Sequence, residues 1–432
     1  MLTLFKGNIG LKQNSTWKTT TLGFLLFQFL VLSTTGNAFA QWPQFLGMQR
    51  DGVSAEKGLL TKWPARGPKE VFRVSGGVGM SGIAISQSRL VTLIQQDEKQ
   101  FVVALESHTG KSMWQTKVAP AYKNGMGNGP RGTPTIVGDT LYVFTGQGVL
   151  AALDLQTGDI EWRHDTVKEL GGKVADYGMA GSPLAVGDYV MVIVGAPGAT
   201  VAAYERSSGK LAWKSGDDPA GYSSPTLLKL AGKQQVVAFS GNSVLGFNPE
   251  SGKQLWRYPF VTDFRCNTAT PVTKNGHVFI SSAESHGSAM LAVKQLGDDF
   301  DIEEVWTSFG RNSAMRNEWQ TSVLLDGYLY GLDNVGSAGP VTHLNCVEAG
   351  TGKRAWQETR FGKGNLIAAD GKLFIVMMSG DMVVVKASPK RFEEIGRATG
   401  VIGSTRQAPA LANGYLYLRD DREIVCLDVR EN

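Results

Sequence analysis

Cationic side chains recur in this 432-residue sequence directly before predicted β-strands, without matching acids beside them. A guanidinium group presents a rigid fork of N–H donors that suits carboxylate and phosphate groups, and a lysine supplies a compact positive charge. We expect these cations and one tyrosine to bind an anionic, carbohydrate-like or peptide ligand: Arg131, Tyr222, Arg265, Arg316, Lys363 and Arg406. The alternative is that the arginines hydrogen-bond loop carbonyls and pair with acids such as Asp381, Asp420 and Asp421.

Patterns for metal binding and catalysis are weak in this sequence. Asp333 and Asn334, with Glu284, carry oxygen atoms of the kind that calcium prefers, but scattered acids on loops are usually solvated. The five histidines lack the spacing of a zinc site. Residues 77–82 read G-x-G-x-x-G, yet they precede a strand, whereas a dinucleotide site needs a strand before the motif and a helix after it. We therefore predict no catalytic residue and no metal site.

A repeated segment must position these side chains. Residues 152–162 read A-L-D-L-Q-T-G-D-I-E-W, and four more good copies and one weaker copy follow the same form, each ending in tryptophan. The pattern predicts a hairpin in which a Thr-Gly turn joins an apolar strand to a strand that carries the tryptophan. An interval of 43 to 51 residues is typical of propeller blades. The repeat tryptophans are Trp114, Trp162, Trp213, Trp256, Trp306 and Trp356.

Eight openings of inner strands and eight outer strands can be counted along the chain. An outer strand near Phe72 has no inner strands before it, and the strand near Cys426 has no outer strand after it. The two fit together and would leave no unpaired sheet edge. We predict an all-β fold, a single eight-bladed β-propeller over residues 69–432 with four-stranded antiparallel blades, closed by an N-terminal outer strand. Residues 41–68 lack the repeat and are expected to be a lead-in lying over the propeller.

Residues 1–40 have the features of a secretory signal peptide. Three lysines precede an apolar run that is too short to span a bilayer, and a small-residue cleavage site follows. We expect cleavage near Ala40 and a periplasmic or secreted protein. The remaining chain is close to neutral, so no bulk charge points to nucleic acid or to a membrane surface. We expect a monomer that does not insert into the membrane after cleavage.

The cysteines do not form a disulfide framework. Cys266, Cys346 and Cys426 lie far apart in the sequence, and none has a second cysteine nearby. Cys346 and Cys426 occupy equivalent apolar strand positions, so we expect buried thiols there.

The repeat A-x-D-x-x-T-G-x-x-x-W resembles that of the pyrroloquinoline quinone repeat family, as do the strings at residues 42–54, 129–134, 220–225 and 326–331. This family includes quinoprotein alcohol dehydrogenases and the propeller of the outer-membrane assembly machinery. The resemblance implies an eight-bladed ring in which each repeat tryptophan packs against the turn of the next repeat. For the dehydrogenases it also implies a quinone beneath a disulfide between adjacent cysteines, and a metal held by Glu, Asn and Asp. This chain has no adjacent cysteines.

Two hypotheses follow. The first is an exported, non-catalytic propeller without a cofactor that binds a protein partner or an anionic or carbohydrate-like ligand at the mouth of the channel. The second is an oxidoreductase that uses the propeller as a scaffold for pyrroloquinoline quinone (PQQ) with calcium.

Overall fold

Each copy of the tryptophan repeat forms a β-hairpin that supplies the outer half of a four-stranded sheet. Residues 152–162, for example, join two paired strands through a turn at Gly158, whose φ of 79° favours glycine. The computed structural model describes residues 41–64, 67–283, 285–336 and 339–431. Within these residues the strands form eight sheets, which confirms the predicted eight-bladed propeller.

The strands are numbered in chain order, beginning with β1 (Val53–Ser54) and β2 (Lys69–Ser75). Blade 1 consists of β3 (Ala84–Ser86), β4 (Arg89–Gln96), β5 (Lys99–Glu106) and β6 (Ser112–Pro120). Blade 2 consists of β7 (Thr135–Val137), β8 (Thr140–Phe144), β9 (Val149–Asp154) and β10 (Ile160–Asp165). Blade 3 consists of β11 (Leu184–Val186), β12 (Tyr189–Ala196), β13 (Ala199–Glu205) and β14 (Leu211–Ser215). Blade 4 consists of β15 (Thr226–Leu230), β16 (Lys233–Phe239), β17 (Ser243–Phe247) and β18 (Gln254–Pro259).

The second half of the ring continues the same order. Blade 5 consists of β19 (Val272–Lys274), β20 (His277–Ser282), β21 (Gly287–Leu296) and β22 (Asp299–Phe309). Blade 6 consists of β23 (Val323–Leu325), β24 (Tyr328–Asn334), β25 (Thr342–Glu348) and β26 (Arg354–Glu358). Blade 7 consists of β27 (Gly364–Ala369), β28 (Lys372–Met377), β29 (Met382–Lys386) and β30 (Glu394–Ala398). Blade 8 begins with β31 (Ala410–Ala412), β32 (Tyr415–Arg419) and β33 (Glu423–Asp428).

Blade 8 takes its outermost strand from the N-terminal part of the chain. β2 pairs antiparallel with β33, and Phe72 lies opposite Cys426. Phe72 stands where the other blades carry the repeat tryptophan, and its ring lies against Gly110 in the turn of blade 1. The inner strand of blade 8, β31, contacts β3 of blade 1. The predicted closure of the ring by an N-terminal outer strand is therefore confirmed.

Helices are short in the described part of the chain. One α-helix, α1 (Thr166–Glu169), follows β10, and two 3-10 turns cover Asp263–Arg265 and Gly310–Asn312. No helix among the described residues has the length and apolar character needed to cross a membrane.

The core lies between the blades, because each sheet packs face to face against its neighbours. The second and third strands of a blade are therefore buried on both faces and read as continuous apolar runs. In β12, residues 190–194 are at most 3% exposed. The thiols of Cys346 and Cys426 are also fully buried and free, as expected, and burial raises the pKa of each to about 12. Neither thiol is poised to act as a nucleophile.

The repeat tryptophans bridge consecutive blades. Five of them donate the indole Nε1–H to a backbone carbonyl in the turn of the following blade, at 2.8–3.1 Å. Trp256 differs, because it donates to the Gln235 side chain of its own blade at 2.6 Å. The acceptor residues of the five are Leu155, Arg206, Pro249, Ala349 and Ser388.

The first part of the lead-in, residues 42–54, follows the inner strands of the ring, whereas Leu59 and Trp63 lie against blades 7 and 8. Trp42 forms an antiparallel bridge with Ile85 of β3, and the Pro43 carbonyl accepts a hydrogen bond from the Ile136 amide of β7. β1 then adds to β27 as a parallel fifth strand on the inner side of blade 7, with Val53 opposite Ala368. Residues 42–54 therefore occupy the inner side of the ring, where the short inner strands of the blades meet.

Candidate functional site

A cavity of about 450 Å³ lies where the outer strands lead into the inner strands of the ring. This volume is within the range of small-ligand sites in proteins. All eight blades contribute to its wall, because the segments that lead into the inner strands converge around the common axis. Phe45 of the lead-in also lines the cavity. Charged, aromatic and methionine side chains in this wall include Met126, Arg131, Tyr177, Tyr222, Phe264, Glu318, Trp319 and Arg406.

Arg131 is one of two arginines that face this cavity without a carboxylate partner among the described residues. Its guanidinium donates to the carbonyls of Gly129 and Gly127, at 2.6 and 2.8 Å, and lies 4.7 Å from the centre of the Tyr122 ring. Burial lowers the pKa of Arg131, and the positive charge of nearby Arg406 lowers it further. An anion bound here would relieve both effects.

Arg406 is the second of these arginines. Its Nη1 donates to the Met126 carbonyl at 2.7 Å, and its guanidinium lies 4.6 Å from the centre of the Trp319 ring. The Nζ of Lys363 also lies 4.6 Å from that ring. The two cations therefore share one indole, which favours positive charge through its quadrupole.

Lys363 and Glu318 form an ion pair beside the cavity. Nζ and Oε2 are 2.7 Å apart, and both side chains are at most 15% exposed. Because Lys363 balances the charge of Glu318, the wall retains the charges of Arg131 and Arg406. Lys363 itself contacts Trp319 rather than lining the main cavity.

Tyr222 lines the cavity together with Tyr177. Their rings stack at 5.6 Å, and the Tyr222 hydroxyl accepts a hydrogen bond from the Tyr177 amide at 3.2 Å. Burial raises the pKa of Tyr222, so its phenol stays protonated and does not reduce the positive charge of the site.

The remaining two predicted residues lie elsewhere. Arg316 is 3% exposed and binds the Asp333 carboxylate with two parallel hydrogen bonds of 2.7 and 2.8 Å. This buried pair holds the loop before β23 against β24. Arg265 is exposed on the rim, and its neighbours Phe264 and Cys266 line the cavity instead. The structure thus brings together Arg131, Tyr222 and Arg406, with Lys363 beside them.

Sequence reasoning missed Arg50, a buried cation of the lead-in. Its guanidinium donates to the Pro183 and Ser182 carbonyls at 2.8 and 3.1 Å, and it has no carboxylate partner among the described residues. Burial lowers its pKa to about 9. Because Ser182 accepts a hydrogen bond from the Thr133 amide in the cavity wall, Arg50 lies behind that wall and adds positive potential to the site. Its position in a segment without repeats gave no sign of this role.

The two described side chains that were considered as calcium ligands already make other polar contacts. Asp333, one of the residues considered for calcium, uses both carboxylate oxygens for Arg316. Asn334 donates to the Glu318 carboxylate at 2.8 Å, and Glu284 lies outside the described residues. The part of the chain that the structure describes contains no group of three His, Cys, Asp or Glu side chains placed to hold a metal ion.

Comparison with known proteins relates the chain to two kinds of propeller. Residues 98–358 match the model of a family described as outer membrane protein assembly factor BamB. A quinohemoprotein alcohol dehydrogenase, ADH IIB of Pseudomonas putida, is 30% identical over a stretch that covers 34% of this chain. The match covers only 24% of that enzyme's length.

Two solved structures share the fold at low sequence identity. The quinohemoprotein alcohol dehydrogenase of Comamonas testosteroni has a TM-score of 0.64 and 13% identity, covering 90% of this chain and 80% of that one. BamB of Moraxella catarrhalis has a TM-score of 0.59 and 14% identity, covering 84% and 99%. At these identities the likeness concerns the fold alone.

Proposed function

The chain belongs to the PQQ-repeat family of β-propellers whose model is described as outer membrane protein assembly factor BamB, and from this premise we propose that it is an exported binding protein without catalysis of its own. It takes an acidic group of a protein partner, or another anionic or carbohydrate-like ligand, into the cavity at the mouth of the ring. The export signal is assigned to residues 1–40, which lie outside the described residues, and the protein acts as a periplasmic or secreted monomer.

The observation that carries this proposal is the pair Arg131 and Arg406 in one cavity. Both guanidinium groups donate hydrogen bonds to loop carbonyls, which are neutral acceptors. Neither group has a carboxylate partner within the described chain. A bound carboxylate offers each of them a charge-assisted hydrogen bond, which is roughly twice as strong as a neutral one. The protein walls around the two arginines lower the local dielectric below that of bulk water and so strengthen that attraction.

The PQQ-dependent oxidoreductase remains the second candidate, because of the partial likeness to a quinohemoprotein alcohol dehydrogenase. The pairing of Asp333 with Arg316 counts against it, since the carboxylate is then unavailable to calcium. These residues do not fit a calcium–quinone centre.

Replacing both cavity arginines is expected to weaken binding of an acidic probe at least about 100-fold. The double variant Arg131→Gln, Arg406→Gln loses two charge-assisted hydrogen bonds of about 1.5–3 kcal/mol each. The probe is a fluorescently labelled hexaglutamate peptide, and fluorescence anisotropy measures its dissociation constant at two salt concentrations. Binding to the unaltered protein should also weaken as salt is raised.

A control for charge alone is the double variant Arg391→Gln, Arg397→Gln. These arginines pair with surface glutamates near the outer edge of blade 7, so the same change in net charge leaves the cavity intact. Equal loss of binding in both double variants would contradict the proposed site.

Saturable uptake of pyrroloquinoline quinone with calcium, accompanied by reduction of a dye on addition of an alcohol, would overturn the non-catalytic assignment.

A further inference from the structure

The turn before β19 holds an aromatic side chain in water at the edge of the cavity. Phe264 and Arg265 have φ angles of 57° and 56°, in the left-handed region that residues with a Cβ rarely adopt. The Phe264 side chain is 61% exposed, although it also lines the cavity. Both the backbone conformation and the exposure of the ring are unfavourable in the isolated protein. Such strain is concentrated at functional sites in proteins.

Two further exposed apolar side chains stand on the loops before and after blade 5. Val261 is 62% exposed and Phe309 is 46% exposed. Phe309 lies edge-on to the buried Phe260, with ring centres 5.9 Å apart, and Val261 directly follows Phe260 in the sequence. We call Val261, Phe264 and Phe309 the apolar ridge. Its members stand on the two loops that flank blade 5, and Phe264 also lines the cavity.

The charges around the apolar ridge are mostly positive. Arg265 follows Phe264 directly, Arg311 lies two residues after Phe309, and both are exposed. The cavity next to the ridge holds Arg131 and Arg406. Asp263 is the acidic residue of the same turn. A complementary surface would therefore combine apolar side chains with carboxylates.

We propose that the ligand of this site is a protein segment that lays an aromatic or aliphatic side chain on the apolar ridge and places an acidic side chain in the cavity. The inference rests on the proposed function and narrows it. A free sugar acid or other small anion that fills about 450 Å³ would leave Val261 and Phe309 exposed to water. A peptide chain reaches both places at once, and burial of the ridge adds affinity in proportion to the apolar area covered.

The test compares two labelled eight-residue peptides that each carry three aspartates. One peptide also carries two phenylalanines and one leucine, and the other has serine at those three positions. The unaltered protein should bind the apolar peptide at least about tenfold more tightly, as expected for burial of one aromatic side chain. The variant Phe264→Asn should lose that preference. Asparagine tolerates the left-handed backbone, so the turn is kept while the ring is removed.

Leu296→Asn supplies the matched control. Leu296 is 62% exposed, close to the 61% of Phe264, but it lies at the tip of the hairpin between β21 and β22, and it does not line the cavity. This variant should keep the preference for the apolar peptide. Thermal unfolding of both variants verifies that each is folded before binding is measured.

The outcomes separate this inference from the proposed function. The inference would be overturned if the protein bound both peptides with equal affinity and Phe264→Asn did not change that affinity. If the double variant Arg131→Gln, Arg406→Gln then lost binding, the proposed anion site would still be supported. The inference would also be overturned if free glucuronate displaced the apolar peptide completely and bound with the same affinity as that peptide. Binding that depends on Phe264 but not on the two arginines would overturn the proposed function as well. Absence of binding by either peptide up to about 1 mM would overturn both.

Discussion

A chain that begins at Gly76, and so lacks the lead-in and β2, is expected to lose cooperative folding of the whole ring. β33 would become an open edge strand, and its buried residues Ile424, Cys426 and Leu427 would lose the strand that covers them. The inner strands would also lose the residues of the lead-in that follow them, including Trp42, which is 3% exposed. Circular dichroism on heating measures the effect, as a broad transition at a lower temperature.

A chain that begins at Gly67 separates the two contributions. It retains β2 and the closure of blade 8 but lacks most of the lead-in. We expect it to unfold in one transition at a temperature between those of the full chain and the shorter one. If the chain that begins at Gly76 had the same midpoint of thermal unfolding as the full chain, the ring would not depend on closure by β2.

Replacement of Trp162 by alanine is expected to reduce the free energy of unfolding by about 3–5 kcal/mol. The indole is 9% exposed, lies 6.0 Å from the Tyr142 ring, and donates to the Arg206 carbonyl of the next blade at 2.9 Å. The substitution removes the packing and also leaves a carbonyl without its donor. Urea titration followed by circular dichroism gives the change in free energy.

Ile160→Ala is the control for this position. Ile160 lies on the same strand, β10, but is 40% exposed, so its loss should cost less than about 0.5 kcal/mol. A second probe is Gly209→Ala, because the new Cβ would lie 2.7 Å from the Trp162 ring and the φ of 72° disfavours alanine. An effect of Trp162→Ala below about 1 kcal/mol would contradict the bridging role of the indole.

The architecture could be predicted from the sequence because its signals are local and repeated. A tight turn followed by a tryptophan describes one hairpin and occurs six times. Counting all the outer strands, two of which lack the tryptophan, gives the eight blades. The closure by β2 also followed from counting, because an outer strand near Phe72 and an unpaired strand near Cys426 could complete each other. The path of the lead-in could not be predicted, since residues 41–68 contain no repeat and bind through backbone groups and single side chains such as Arg50.

The site could be predicted only in part, and the reason differs from residue to residue. Arg131 and Arg406 meet because each precedes an inner strand, and strand starts converge around the axis of a closed ring. Arg316 occupies the same kind of position but turns toward Asp333, a residue of its own blade whose orientation has no sequence signal. The strained turn at Phe264 likewise could not be predicted from the sequence, because a positive φ at a residue other than glycine is a consequence of the surrounding contacts.

The pairing of β2 with β33 determines when the cavity is completed during folding. Phe72 and Cys426 are neighbours in blade 8, although nearly the whole chain separates them in sequence. Contacts between distant parts of a chain form slowly, because a long loop must close before they contribute any stability. During synthesis from the N-terminus, β2 has to wait without a partner until β31, β32 and β33 exist. Arg406 directly precedes these strands, so its meeting with Arg131 belongs to the final step of folding. A ligand that contacts both arginines therefore recognises the finished ring and, by mass action, shifts the folding equilibrium toward it.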